Sequence, residues 1–155
     1  MRTRITEAMK AAMKSGDKAR LSTIRLMLSG IKDRELGIGP GATPLPPGQD
    51  KLPDAEVLAL LQRMVKQRRD SIATYVQGGR QDLADKEAAE IVVIEEFLPR
   101  QMGEAEMKAA IAKLLADEKL AGFKDMGRAM ALLKARFTGQ MDFGKASAMV
   151  KALLS

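Results

Sequence analysis

Apolar residues return every three or four positions along almost the whole of this 155-residue chain, and no stretch alternates apolar with polar residues. That period builds helices and leaves no candidate strand. Ile5, Ala8, Met9 and Ala12 line one face of a helix over 5–14. Ser15-Gly16 ends it, and Asp17 is placed to cap the next. Leu21, Ile24, Leu28 and Ile31 carry the second helix. A third begins near Asp54, turns Val57, Leu61, Met64, Val65, Ile72 and Tyr75 inward, and stops at Gly78-Gly79. A fourth runs from about Asp82 to Phe97, with Leu83, Ile91, Ile94 and Leu98 inward, and Pro99 ends it. Three short helices follow. One spans about Glu104 to Glu118, with Met107, Ile111, Leu114 and Leu115. Another starts at Asp125 and carries Met126, Met130, Leu133 and Phe137. The last starts at Asp142 and carries Met149, Val150, Leu153 and Leu154. The expected fold is all-α, without internal repeats. An N-terminal unit of about four helices, 1–98, precedes a C-terminal three-helix unit, 99–155, with the boundary at PRQMG.

The pattern breaks once, at GIGPGATPLPPGQDKLP, residues 37–53. Its glycine and proline content reads as a flexible loop. Pro44-Leu45-Pro46-Pro47 has the form of a docking motif, but loop composition alone accounts for it.

What is missing narrows the chemistry. The chain has no cysteine and no histidine. Disulfides, thiol nucleophiles, Ser-His couples and nearly all zinc sites are excluded. Acid–base work would fall to Asp, Glu, Lys or Tyr75, and Glu95-Glu96 and Asp117-Glu118 are adjacent pairs that do not share a helix face. No enzyme, metal or cofactor is expected. The eleven methionines read mainly as core filling, although Met also suits adaptable binding surfaces. No apolar run reaches the length of a bilayer span. The basic N-terminus lacks a secretory apolar core and reads as an ordinary helix, so a cytoplasmic location is the default.

The net charge of +6 is uneven. Residues 98–155 hold ten Lys and Arg against six Asp and Glu, while residues 1–97 hold 16 against 14. Such a balance favours polyanions. Four Phe, one Tyr and no Trp make base stacking a poor basis for recognition. Lys18, Arg25 and Lys32, seven apart, form a basic stripe on the second helix; snorkelling beside a buried face is its ordinary explanation.

GQMDFGKAS, residues 139–147, matches part of the phosphate loop G-x-x-x-x-G-K-[ST]. Ala146 stands where the Mg²⁺-holding hydroxyl belongs, and Ser147 comes one place late. The preceding MALLKARF is helical, and only ten residues follow Lys145. No nucleotide is expected. Gly139 instead reads as the left-handed glycine ending the sixth helix, and Asp142 as the cap of the seventh. Gly144 falls in the first turn of that helix, and Lys145 is a surface cation.

Several separated stretches resemble the YqeY family. They are GDKARLSTIRLML (16–28), KQRRDSIATYVQGGRQDLADKEAAEIVVIEEFLPRQM (66–102) and DMGRAMALLKARFTGQMDFGKASAMVKALL (125–154). The last also resembles the tail domain of GatB, a subunit of the tRNA-dependent Asp/Glu amidotransferase. The chain departs from the family's pattern in its longer, proline-rich 37–53 loop, and in Pro53 and Gly103, where capping hydroxyl residues are usual.

The resemblance implies a helical module that contacts tRNA or a tRNA-processing protein. The catalytic core of GatB and the glutaminase residues have no counterpart here. The family label, a carbon–nitrogen ligase with glutamine as amido donor, is therefore not expected to be intrinsic. The candidate nucleic-acid contacts are Lys124, Arg128, Lys134, Arg136, Lys145 and Lys151, with close backbone approach at Gly127, Gly139 and Gly144. The alternative is a protein-interaction adaptor that binds no RNA.

Overall fold

The computed structural model describes residues 1–39 and 42–155; Pro40 and Gly41, inside the Gly/Pro-rich stretch, lie outside the described residues. Among the described residues the regular elements are all helical. They are α1 (Arg2–Ser15), α2 (Lys18–Glu35), α3 (Asp54–Gln77), α4 (Gln81–Glu95), α5 (Glu104–Asp117), α6 (Met126–Phe137) and α7 (Phe143–Leu154). A 3₁₀ turn, Phe123–Asp125, leads into α6. The chain adopts the all-α fold that its periodicity requires. Backbone packing gathers it into two compact units, Met1–Leu98 and Pro99–Ser155. No helix among the described residues is long and apolar enough to cross a membrane.

In Met1–Leu98, α3 and α4 pack against each other along their lengths, and α1 and α2 close the other side. Ile5, Ile24, Met27, Ile31, Val57, Leu61, Ile94 and Phe97 fill the interior. Ion pairs tie the α3–α4 hairpin together. Arg68 Nε lies 2.9 Å from Glu90 and 3.9 Å from Glu87, and Arg69 lies 2.9 Å from Glu95. In Pro99–Ser155 the three helices enclose Met107, Ile111, Leu114, Leu133, Met141, Ala146 and Val150.

Four local features differ from the expectation, each for a physical reason. Helix α1 begins at Arg2 rather than residue 5, because the Met1 carbonyl already accepts from Ile5 N at 3.1 Å. Arg2, Thr3 and Arg4 carry no apolar signal from which that start could be read. On α2 the buried line runs Ile24, Met27, Ile31, and Leu28 is only half-buried. On α7 the line is Ala146, Val150, Leu154, and Leu153 is exposed. Adjacent leucines stand about 100° apart on a helix, so one must turn outward. Helix α6 starts one residue later than expected, and Asp125 does not cap it; its carboxylate accepts from Ala121 N at 2.9 Å.

The described part of the 37–53 stretch is irregular but pinned. Leu52 is buried and Leu45 packs against the first core. Glu35 accepts from Leu52 N at 2.8 Å and also pairs with Arg2 of α1. Arg34 donates to the Thr43 carbonyl at 2.8 Å. A Cβ on Gly37, whose φ is +69°, would sit 2.9 Å from Pro44 N, so this turn requires glycine. Leu45, the middle of the Pro-x-x-Pro motif, is thus spent on packing.

Candidate nucleic-acid interface

The second unit is closed by a tight turn between α6 and α7. Gly139 takes a φ of +81° just past the last turn of α6 and is buried. Its carbonyl accepts from Gln101 Nε2 at 2.5 Å, and Gln140 O accepts from Met102 N at 2.8 Å. Asp142 then caps α7, accepting from Gly144 N at 2.9 Å and Lys145 N at 3.2 Å. The Asp142 cap is as expected. Gly139 has the expected positive φ, but α6 ends at an extended Thr138 (φ −53°, ψ 128°), so the glycine serves a turn closed by Gln140 N to the Phe137 carbonyl at 3.0 Å rather than a helix cap. The cap also bears on the phosphate-loop match. A carboxylate already occupies the N–H groups that would cradle a phosphate, and a helix rather than a strand comes before.

The candidate cations sit on this frame as follows. Arg128 and Arg136 project from α6 roughly 80° apart, given about 100° per residue. Glu118, at the C-terminal end of α5, gathers them: it lies 2.6 Å from Arg136 and 3.8 Å from Arg128. Lys124, in the 3₁₀ turn, is exposed, as is Gly127, where an added Cβ would meet open space. Lys134 falls on the other flank of α6, roughly 120° from Arg128. Its carbonyl accepts from Thr138 Oγ1. On α7, Lys145 and Lys151 lie roughly 120° apart on opposite sides of the buried line. Lys145 is 3.6 Å from Glu104. The structure therefore joins Arg128 with Arg136 and spreads the others over several flanks. Gly139 is buried as a turn residue, and Gly144 is exposed.

Sequence reasoning missed Glu118 as the residue that gathers two arginines. The eight-residue spacing of Arg128 and Arg136 was the available signal, but the fold alone brings the end of α5 to it. The cluster carries two guanidinium groups and one carboxylate, so it stays net positive. Arg128 is 63% exposed and Arg136 46% at the side chain. Such surface pairs orient side chains more than they stabilise a fold. At the opposite end of α5, Arg100 bonds Glu106 at 2.7 and 2.9 Å and holds the Glu106 carboxyl below the usual carboxylate range. Among the described residues no group of three or more Asp and Glu could hold a metal ion.

The model of the YqeY-like protein family matches residues 2–154. Curated relatives include "Altered inheritance of mitochondria protein 41, mitochondrial" from several fungi. The Kluyveromyces lactis protein is 35% identical over 74% of this chain and 58% of its own length. The Lachancea thermotolerans protein is 34% identical over 72% of this chain and 56% of its own. The Pyrenophora tritici-repentis protein is 29% identical over 86% of this chain and 71% of its own. The matched region thus spans little more than half the length of the first two. These names contradict the cytoplasmic location expected from the sequence, because the relatives are called mitochondrial. An organelle address is read from a targeting segment, and the packing of a fold does not encode it. With its family model running nearly end to end, the chain belongs to the YqeY-like family.

Proposed function

We propose that this chain is a non-catalytic RNA-binding module whose second unit contacts phosphates. Transfer RNA is the RNA to test first, and a tRNA-dependent amidotransferase or another tRNA-processing protein is its working context. The observation that carries this reading is the Arg128–Glu118–Arg136 cluster, which holds two exposed guanidinium groups on one side of the second unit with net positive charge. The charge excess of residues 98–155 and the resemblance to the GatB tail support it. Guanidinium groups match phosphate geometry, and such contacts bind with steep salt dependence. The amidation chemistry of the family label belongs to other chains in this reading. Because the curated relatives are named mitochondrial proteins, organellar tRNA belongs in the assay beside bulk tRNA.

Replacing Arg128 and Arg136 together by Ala should weaken tRNA binding. It should also lower the slope of log affinity against log salt by about 1.4–1.8, at roughly 0.7–0.9 for each phosphate no longer neutralised. The double variant Lys134→Ala, Lys145→Ala reports on the other flanks. If affinity and slope were unchanged in both variants, the phosphate-contact reading would be wrong. An adaptor role without RNA is the second reading, favoured by the half-exposed Leu26 on the outer face of α2.

A further inference from the structure

Helix α2 divides its cations by face. Arg20 is 2.6 Å from Glu96, and Arg34 is 3.4 Å from Glu56; both lie toward neighbouring helices. Lys18, Arg25 and Lys32 lie on the outer face, and among the described residues no carboxylate stands within ion-pair distance of any of them. The three are one heptad apart, roughly 10.5 Å along the axis. Snorkelling would have laid these side chains beside the buried line. They lie instead around the exposed side of the helix.

Ser22, Leu26 and Ser29 flank Lys18 and Arg25 on this open face, while Leu21 beside them packs against the first core. Leu26 is 48% exposed, and Leu36, one heptad beyond Ser29, is 59% exposed. The face therefore combines a row of unpaired positive charges, apolar side chains and two small serines that permit close approach. Asp33, next to Lys32, is its acidic neighbour at the C-terminal end.

We infer that the outer face of α2 docks an acidic amphipathic helix of a partner protein, with Glu or Asp at seven-residue spacing. This surface lies in Met1–Leu98, and the inference stands apart from the RNA reading of the second unit. Charge selects the occupant. A second copy packed symmetrically about Arg25 would set Arg25 against Arg25 and Lys18 against Lys32, which like-charge repulsion opposes. A nucleic-acid backbone would satisfy the cations and leave Leu26 wet. A helix with acidic and apolar positions satisfies both, by the helix-against-face mode of peptide recognition.

The test uses the full chain and labelled 21-residue helical peptides carrying Leu at the two core heptad positions and Glu at every seventh residue, in the five registers that leaves open. Their Lys-for-Glu counterparts serve as controls. At least one acidic register should bind saturably, and the basic counterparts should not. The triple variant Lys18→Glu, Arg25→Glu, Lys32→Glu should lose the acidic peptide by about tenfold or more and gain the basic one. Leu26→Ala should weaken acidic-peptide binding by about fivefold, the effect of exposing part of one leucine. All these positions are on the surface, so the variants keep the fold, which circular dichroism checks. Three results would overturn the inference: no acidic register binds; binding ignores Leu26→Ala, leaving only attraction between opposite charges; or an RNA duplex competes for the face at equal concentration.

Discussion

The two units close their helices by different means. In Met1–Leu98 the charges work between helices: Arg68 with Glu87 and Glu90, Arg69 with Glu95, Arg20 with Glu96, and Arg2 with Glu35. In Pro99–Ser155 the closure is made largely by backbone groups. The Gly139 turn, the Met102–Gln140 bond and the Asp142 cap hold α6 and α7, and small Ala129 and Ala146 are fully buried between them. The second unit has ion pairs as well, Arg128 and Arg136 with Glu118 and Arg100 with Glu106, but there the arginines stay at the surface, 46–78% exposed, whereas Arg68, Arg34 and Arg20 of the first unit are 13–30% exposed. A paired arginine that keeps its exposure can still meet a polyanion. This difference is why the phosphate-contact reading rests on the shorter unit, and why α2's outer row stands out within the longer one.

The comparison can be broken most forcefully at the cores. Leu61→Ala and Leu133→Ala each remove a fully buried side chain, one per unit. Each should cost about 2–5 kcal/mol. Hydrogen exchange read by segment should show the loss in residues 1–98 for the first and in 99–155 for the second. Equal loss across both units from either variant would mean that the chain unfolds as one body.

Glu35→Ala is the next largest. It leaves Leu52 N without its acceptor and Arg2 without its partner, and should cost about 1–3 kcal/mol. Exchange should speed up first around Leu52. If only α1 loosened, the ion pair rather than the loop hydrogen bond would be the important one.

The caps sharpen the contrast at smaller scale. Asp142→Ala should destabilise the second unit by about 1 kcal/mol. Gly103→Ser should stabilise it by a few tenths of a kcal/mol, since φ −72° and ψ 167° suit a capping residue and an added Cβ meets nothing within 4 Å. Chemical denaturation followed by circular dichroism reads both. A destabilising Gly103→Ser would show that the entry to α5 depends on glycine.

Periodicity made the helices legible because burial repeats at the helical period. Asp17, Asp142 and Gly139 were legible because caps and left-handed turns demand particular side chains. The start of α1 was not, because Arg2, Thr3 and Arg4 have no apolar member. Leu52 and Leu45 were not, because a loop's contribution to a core has no period. The choice between Leu153 and Leu154 depends on which neighbours pack against α7. At the candidate site, composition and spacing pointed to Arg128 and Arg136. Glu118 became a partner only through the packing of α5 on α6, and the separation of Lys134 from that pair follows from its angle on the helix.

The most direct test of the RNA reading is a titration of labelled tRNA with the full chain, at low and near-physiological salt, against a random-sequence RNA duplex. The account predicts saturable binding that persists at near-physiological salt and favours tRNA over the duplex. Weak binding to both that vanishes as salt rises would contradict it, and would leave the second unit's charge as general basicity alone.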